Sequence, residues 1–201
     1  AAARLRHFPF DRDSTALQAE LARRLRAELA AAPDGLPAAA DLLWRHRDLL
    51  PVGREGDAVV AALAERLELA GLWKRAAELA QYRMAQLPLD IDRGPLANQA
   101  ALLWLRAGET DKADAVIIGT RALPLRGELA QRRERLAAIV MARRGRIAEA
   151  RTLISGDPGA ADLRAAMAWH AEDWAGVVAE TRGDDGRALI VLRRAVALAM
   201  L

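Results

Sequence analysis

The chain has 201 residues, 53% of them hydrophobic and only 4% aromatic, and it contains no cysteine. That apolar fraction excludes a disordered tail, the absent thiols exclude disulfides and thiolate chemistry, and the length admits one sizeable domain or a short solenoid. Lys and Arg (30) nearly balance Asp and Glu (27), leaving a formal charge of +3, and Lys74 and Lys112 are the only lysines. The basicity therefore reads as arginine-rich solvated helix faces and not as a nucleic-acid footprint.

In chain order, Phe8-Pro-Phe10 is extended or turned, and Asp13-Ser14 is a candidate N-cap for a helix to about Ala32, with Leu17, Leu21, Leu25 and Leu29 on one face. Pro33-Asp-Gly-Leu-Pro37 ends it. A second helix, near Ala38 to Leu50, carries Leu42, Leu43 and Trp44 and stops at Pro51 and the Gly53-Arg-Glu-Gly56 loop. From Asp57, a candidate N-cap, helix Ala58–Ala70 leads through a Gly71 turn into helix Trp73–Gln86, with Pro88 as terminator. Gly94-Pro95 opens the next helix and Gly108 closes it, since proline is tolerated at the first helical position. Helices are then expected over Asp111–Leu123 (before Pro124), Gly127–Arg144, Ile147–Ile154, Asp157–Ala171, Trp174–Arg182 and from Gly186 to Leu201. That makes about eleven helices and no sheet. The β-branched clusters Val116-Ile-Ile118 and Ile190-Val191 sit inside patterns of helical period.

One element recurs. Gly71-Leu-Trp-Lys-Arg-Ala-Ala-Glu-Leu-Ala80 is echoed from Arg106, Arg144 and Ala171, and Gly71, Gly108 and Gly145 are each 37 residues apart. Equal spacing marks a helical repeat array. With Leu63-Ala64, Leu67, Trp73, Ala76 and Pro88 in one unit, Ala101, Trp104, Gly108, Ala113 and Pro124 in the next, and Ala138, Met141, Gly145 and Ala150 in the third, the chain resembles the tetratricopeptide (TPR) repeat family. The fourth unit, on Trp174, has Val177 where alanine is expected and no turn glycine; Val60, Ala97 and Glu134 stand where the family has an early tryptophan. Asp48 to Asp57, with Arg75-Ala-Ala-Glu-Leu79, also resembles the C-terminal part of long bacterial multi-repeat proteins.

The resemblance implies an all-α, right-handed α-solenoid of antiparallel helix pairs: an N-terminal pair over residues 1–56, then repeats over about 57–93, 94–126, 127–158, 159–185 and a partial 186–201. The expected whole is one continuous solenoid cut from a longer chain. No signal-peptide pattern opens the sequence and no uncharged apolar run of about 18 residues occurs. A soluble bacterial protein of cytoplasm or periplasm, without membrane insertion, is expected.

Chemistry is sparse. Asp11-Arg-Asp-Ser-Thr15 fits a phosphoaspartyl-hydrolase signature with Asp11 as nucleophile and Asp13 as general acid, but that motif needs a preceding strand. His7, His46 and His170 lack the spacing of a helical metal site, so they read as surface or loop residues and no metal or cofactor is expected. Gly53-Arg-Glu-Gly56 and Gly183-Asp-Asp-Gly186 lack the lysine of a phosphate loop. Trp44, Trp73, Trp104, Trp169 and Trp174 suit inter-helix packing better than base stacking. The arginine clusters at Arg23, Arg132 and Arg143 carry more weight.

If the family's superhelix holds, a concave groove is lined by Glu65 and Glu68, then Asn98 and Arg106, then Arg132, Arg135 and Arg143, running from acidic to basic. The expected function is non-catalytic: a scaffold binding a peptide or helix of a protein partner. Charge reversal at Arg132 and Arg135 is expected to weaken binding without lowering the melting temperature. The alternative is nucleic-acid binding through the arginine clusters; a phosphohydrolase at Asp11 and Asp13 stands third. The last helix is apolar on most faces, so self-association or fraying is expected there.

Overall fold

Leucine and alanine at helical period, punctuated by glycine and proline, produce helices throughout. The computed structural model describes residues 12–30, 36–46, 54–87, 93–183 and 186–201. Among them are eleven α-helices, one short 3-10 helix and no strand. They are α1 (Arg12–Ala30), α2 (Leu36–His46), α3 (Arg54–Leu69), α4 (Trp73–Gln86), α5 (Gly94–Arg106), α6 (Thr110–Gly119), α7 (Gly127–Arg143), α8 (Ile147–Leu153), α9 (Ala161–His170), α10 (Trp174–Glu180) and α11 (Ala188–Met200). The 3-10 helix, Pro158–Ala160, leads into α9. No described helix is long and apolar enough to cross a membrane. His7, Phe8, Phe10, Asp11, Pro33, Pro51, Gly53, Pro88 and Asp184 lie outside the described residues.

The chain divides into two compact units, Ala1–Ala107 and Gly108–Leu201, where the sequence reading divides it after residue 56. In the first, α2 and α3 pack on α1, and α3, α4 and α5 pack in succession. Its core holds Leu43, Val59, Leu63, Leu67, Leu79, Ala97, Leu103 and Trp104. In the second, every helix from α6 to α11 packs against the next in sequence. One cluster there joins Ala138, Ala150, Ile154, Ala160 and Met167, and another Ala168, Val177 and Ala197.

The recurring turn has a common physical basis. Gly71, Gly108 and Gly145 have φ of 71°, 78° and 80°, the left-handed conformation that only glycine adopts without a Cβ penalty. After Gly71 the Leu72 N–H reaches back to the Leu67 carbonyl at 2.9 Å, and after Gly145 the Arg146 N–H reaches the Met141 carbonyl at 3.0 Å. These bonds satisfy carbonyls that a helix end would otherwise orphan. The fourth turn is built the same way: Asp173 N–H donates to Ala168 at 2.9 Å, with Glu172 in the glycine's place at φ 55°. The fourth unit therefore keeps the turn while losing its glycine. Because a left-handed non-glycine residue costs roughly 1–2 kcal/mol, Glu172→Gly is expected to raise the unfolding free energy by about 0.5–1 kcal/mol after glycine's entropy cost, measured by urea titration.

Buried residues, all but one of them alanine, recur at fixed offsets from the four turns. Seven residues before each turn stand Ala64, Ala101, Ala138 and Ala165, and twelve residues after each of these stand Ala76, Ala113, Ala150 and Val177. All are buried, from 0% to 8% exposed. A larger side chain at any of these buried positions would overpack its surroundings.

Several expected boundaries move. Asp13 and Ser14 lie within α1, and Asp57 lies within α3, so neither site is the cap that the sequence suggests. The helix expected to reach Leu123 ends at Gly119, and the one expected to reach Arg182 ends at Glu180. At both ends a threonine follows whose hydroxyl donates to the carbonyl four residues back, Thr120 to Val116 at 2.7 Å and Thr181 to Val177 at 2.6 Å. Such back-bonding competes with the helix.

Candidate functional site

Positions counted back from each turn locate two clefts, one in each unit. Three and six residues before Gly71 are Glu68 and Glu65 on α3, and nine before Gly108 is Gln99 on α5. These line a cleft of about 300 Å³ whose floor is Ala61, Ala64, Ala80 and Leu96, with Arg83 reaching in from α4. Gln99 Nε2 donates to Glu68 Oε1, which fixes that carboxylate, while Glu65 is exposed. The Arg83 Nε is buried without a hydrogen-bond partner. The rim thus carries two carboxylates and one guanidinium over an apolar floor.

The same count in the second unit gives Ala142 and Ile139 on α7 and Leu163 on α9. They line a cleft of about 440 Å³ with Ile147 and Met167, and with Arg143 and His170 at its edge. At equivalent repeat positions, one unit therefore presents an acidic, hydrogen-bonding cleft and the other an apolar one. An apolar cleft with a few polar groups at its edge is suited to anchoring a side chain.

The residues expected to line a groove separate by their surroundings. Glu65, Glu68 and Arg143 border the clefts. Asn98 and Arg135 share a position ten residues before their turns, and both are drawn into the packing, Asn98 buried and Arg135 part-buried. Asn98 is 1% exposed. Arg135 forms a two-pronged pair with Asp157, Nε to Oδ2 at 2.5 Å and Nη2 to Oδ1 at 2.9 Å, and Asp157 is itself buried. Arg106 lies 4.9 Å from the centre of the Trp73 ring, a cation–π contact between α5 and α4. Arg132 is exposed on α7. The acid-to-basic gradient drawn through these residues mixes faces of different helices, because it selects charges without fixing their register. Arg83, Gln99, Ile139, Leu163 and His170 escape that selection; counting from the turn glycines finds Gln99 and Ile139, and Leu163 is reached only from Glu172.

Several of the clustered arginines pair with nearby carboxylates or donate to hydroxyl and carbonyl oxygens. Arg23 and Arg24 both pair with Glu20, whose carboxyl is held below its usual range by hydrogen bonds from Arg24 and then Arg23. Arg144 bridges Asp111 and Asp114 at 2.8 and 2.5 Å, and Arg146 pairs with Glu149. Arg133 donates to Thr120 Oγ1 at 2.9 Å. Two aspartates act as caps clamped by an arginine from an earlier helix. Asp157 accepts from Gly159 N–H and Arg135, and Asp173 accepts from Gly176 N–H and from Arg151 at 2.6 Å. Both carboxyls lie below their usual range, Asp157 chiefly through Arg135 and Asp173 chiefly through the Gly176 N–H. A Cβ at Gly176 would come within 2.2 Å of Asp173 Oδ2, which is why a glycine follows the cap.

The remaining candidates are structural in placement. Trp104 is 2% exposed, and Trp169 meets Trp174 edge to face at 5.4 Å. Trp44 lines an apolar cavity of about 300 Å³ with Leu63, Leu67 and Leu72; its rim charges Asp41 and Arg75 pair with Arg45 and Glu78. Asp13 is on a helix, His46 is half-buried on α2, and among the described residues no group of three His, Asp or Glu could hold a metal ion. No protein-family model matches the chain, and neither a curated protein nor a solved structure matches it.

Proposed function

We propose that this chain is a non-catalytic protein-interaction module, a right-handed, TPR-like array of helix hairpins that holds a partner segment in the clefts between successive first helices. The observation that carries this reading is the shared register of the two clefts, Glu65, Glu68 and Gln99 in one unit and Ile139, Ala142 and Leu163 in the other. The repeated left-handed turns and the buried small-residue pairs support the repeat itself. A lysine or arginine of the partner suits the first cleft, its aliphatic stem over Ala61, Ala64 and Leu96 and its cation at Glu65 and Glu68. An aliphatic or aromatic side chain suits the second. Affinity would come from these few anchors, with little backbone rearrangement.

Glu65→Arg tests the first cleft. Glu65 is exposed, so stability should change by less than about 0.5 kcal/mol. Binding of lysine- or arginine-containing peptides selected on an array should weaken by about ten-fold, about 1.4 kcal/mol, in fluorescence anisotropy. Equal affinity in the variant removes the first cleft from the binding surface.

A further inference from the structure

The cleft lined by α3, α4 and α5 carries charges that the chain itself leaves unanswered. Glu65 and Glu68 stand three residues apart on α3, the spacing of neighbours on one helix face, and Arg83 enters from α4. Among the described residues neither Arg83 nor Glu65 makes a hydrogen bond or an ion pair, and the Arg83 Nε is buried without an acceptor. Glu68 accepts from Gln99 Nε2 through Oε1. That bond uses neither the second oxygen of Glu68 nor the carbonyl oxygen of Gln99. Opposite charges that line one cleft without meeting each other are placed to meet the charges of a third molecule.

The balance of charge identifies the class of that molecule. Two carboxylates and one guanidinium call for two cations and one anion. The side chain of a partner's lysine or arginine brings one cation and leaves Arg83 unanswered. A diamine brings two cations and no anion, and a neutral amino acid brings only one cation. A free basic amino acid brings all three charges, and its methylene stem suits the apolar floor at Ala64 and Leu96. The cleft, of about 300 Å³, lies at the size of small-molecule sites. We infer that it is a binding site for a free basic amino acid of the lysine or arginine class. The α-carboxylate meets the Arg83 guanidinium, and the two cations meet Glu65 and the pair formed by Glu68 and the Gln99 carbonyl oxygen. The site shares its cleft with the proposed partner side chain but does not require it; a free amino acid bound there would compete with that side chain.

Isothermal titration of the full chain with L-lysine and with L-arginine, in the absence of any peptide, tests the inference. The expected result is saturable one-site binding of at least one of them, with a dissociation constant of about 1 mM or tighter. Cadaverine, which is lysine without its carboxylate, and norleucine, which lacks the side-chain ammonium, should each bind about ten-fold more weakly or worse. Arg83→Gln should weaken lysine about ten-fold and leave cadaverine unchanged, whereas Glu65→Gln should weaken both. The ligand series on the wild type needs no variant, so it decides the matter if Arg83→Gln loses its helical far-UV spectrum. Because peptide binding is read without free amino acid, this inference and the interaction reading fail separately. No saturable binding of either amino acid, cadaverine binding as tightly as lysine, or a folded Arg83→Gln that binds lysine like the wild type would each overturn the assignment.

Discussion

Trp104→Ala should lower the unfolding free energy by about 3–5 kcal/mol, the largest effect of any single truncation considered for the first unit. Trp104 is 2% exposed on α5, and its indole Nε1 donates to Gln81 Oε1 on α4 at 2.8 Å. Truncation removes the largest apolar body from the α4–α5 interface and leaves a cavity that two helices joined by packing cannot easily close. Gln81 is only half-buried, so water can replace its lost partner; the cost is mainly packing, not an orphaned amide. Trp104→Phe should accordingly cost far less, about 1 kcal/mol. Guanidinium titrations of the two variants check the ordering. A cost for Trp104→Ala no larger than for Trp104→Phe would mean that the ring is not a core residue.

Arg135→Glu should lower the melting temperature by several degrees, contrary to the expectation that charge reversal there is neutral. The substitution sets two carboxylates against each other at a buried aspartate that caps the turn leading into α9. It also removes the guanidinium fork that holds Asp157 in place. Arg132→Glu on the same helix is the control: Arg132 is exposed and its reversal should leave the melting temperature nearly unchanged. The pair also predicts a pH dependence. The Asp157 carboxyl is held below the ordinary range of an aspartate, chiefly by the hydrogen bond from the Arg135 guanidinium. A depressed carboxyl pKa contributes stability fully above the unfolded value and loses it as pH falls through the folded one. Asp157→Asn should therefore be less stable than wild type at neutral pH, with the gap closing once the pH drops below about 4. Thermal melts of both proteins across that range provide the measurement. A gap independent of pH would show that Asp157 acts through shape and not through charge.

Much of the helical frame is legible in the sequence because its signals are local. Gly71, Gly108 and Gly145 announce left-handed turns through their chemistry alone, and all three adopt a positive φ at equal spacing. Helix α4 falls where the sequence places it, Trp73–Gln86. The errors are local as well: Asp57 resembles a cap yet lies within α3, since a helix start depends on the backbone that precedes it. The fourth turn is harder to recognise, because Glu172 accepts a left-handed φ that its side chain does not advertise.

The candidate site is far less legible. Charge by itself does not say which face of a helix a residue occupies, and a rotation of one position, about 100°, separates an inward arginine from an outward one. Asn98 and Arg135 illustrate this, both polar and both expected to meet a ligand, the first buried and the second clamped to a buried aspartate. The sequence by itself determined that the chain is helical and that its turns recur, because turn chemistry and apolar period are short-range properties. Only the tertiary structure decided which arginines clamp aspartates and which positions open as clefts, because these depend on which helix packs against which.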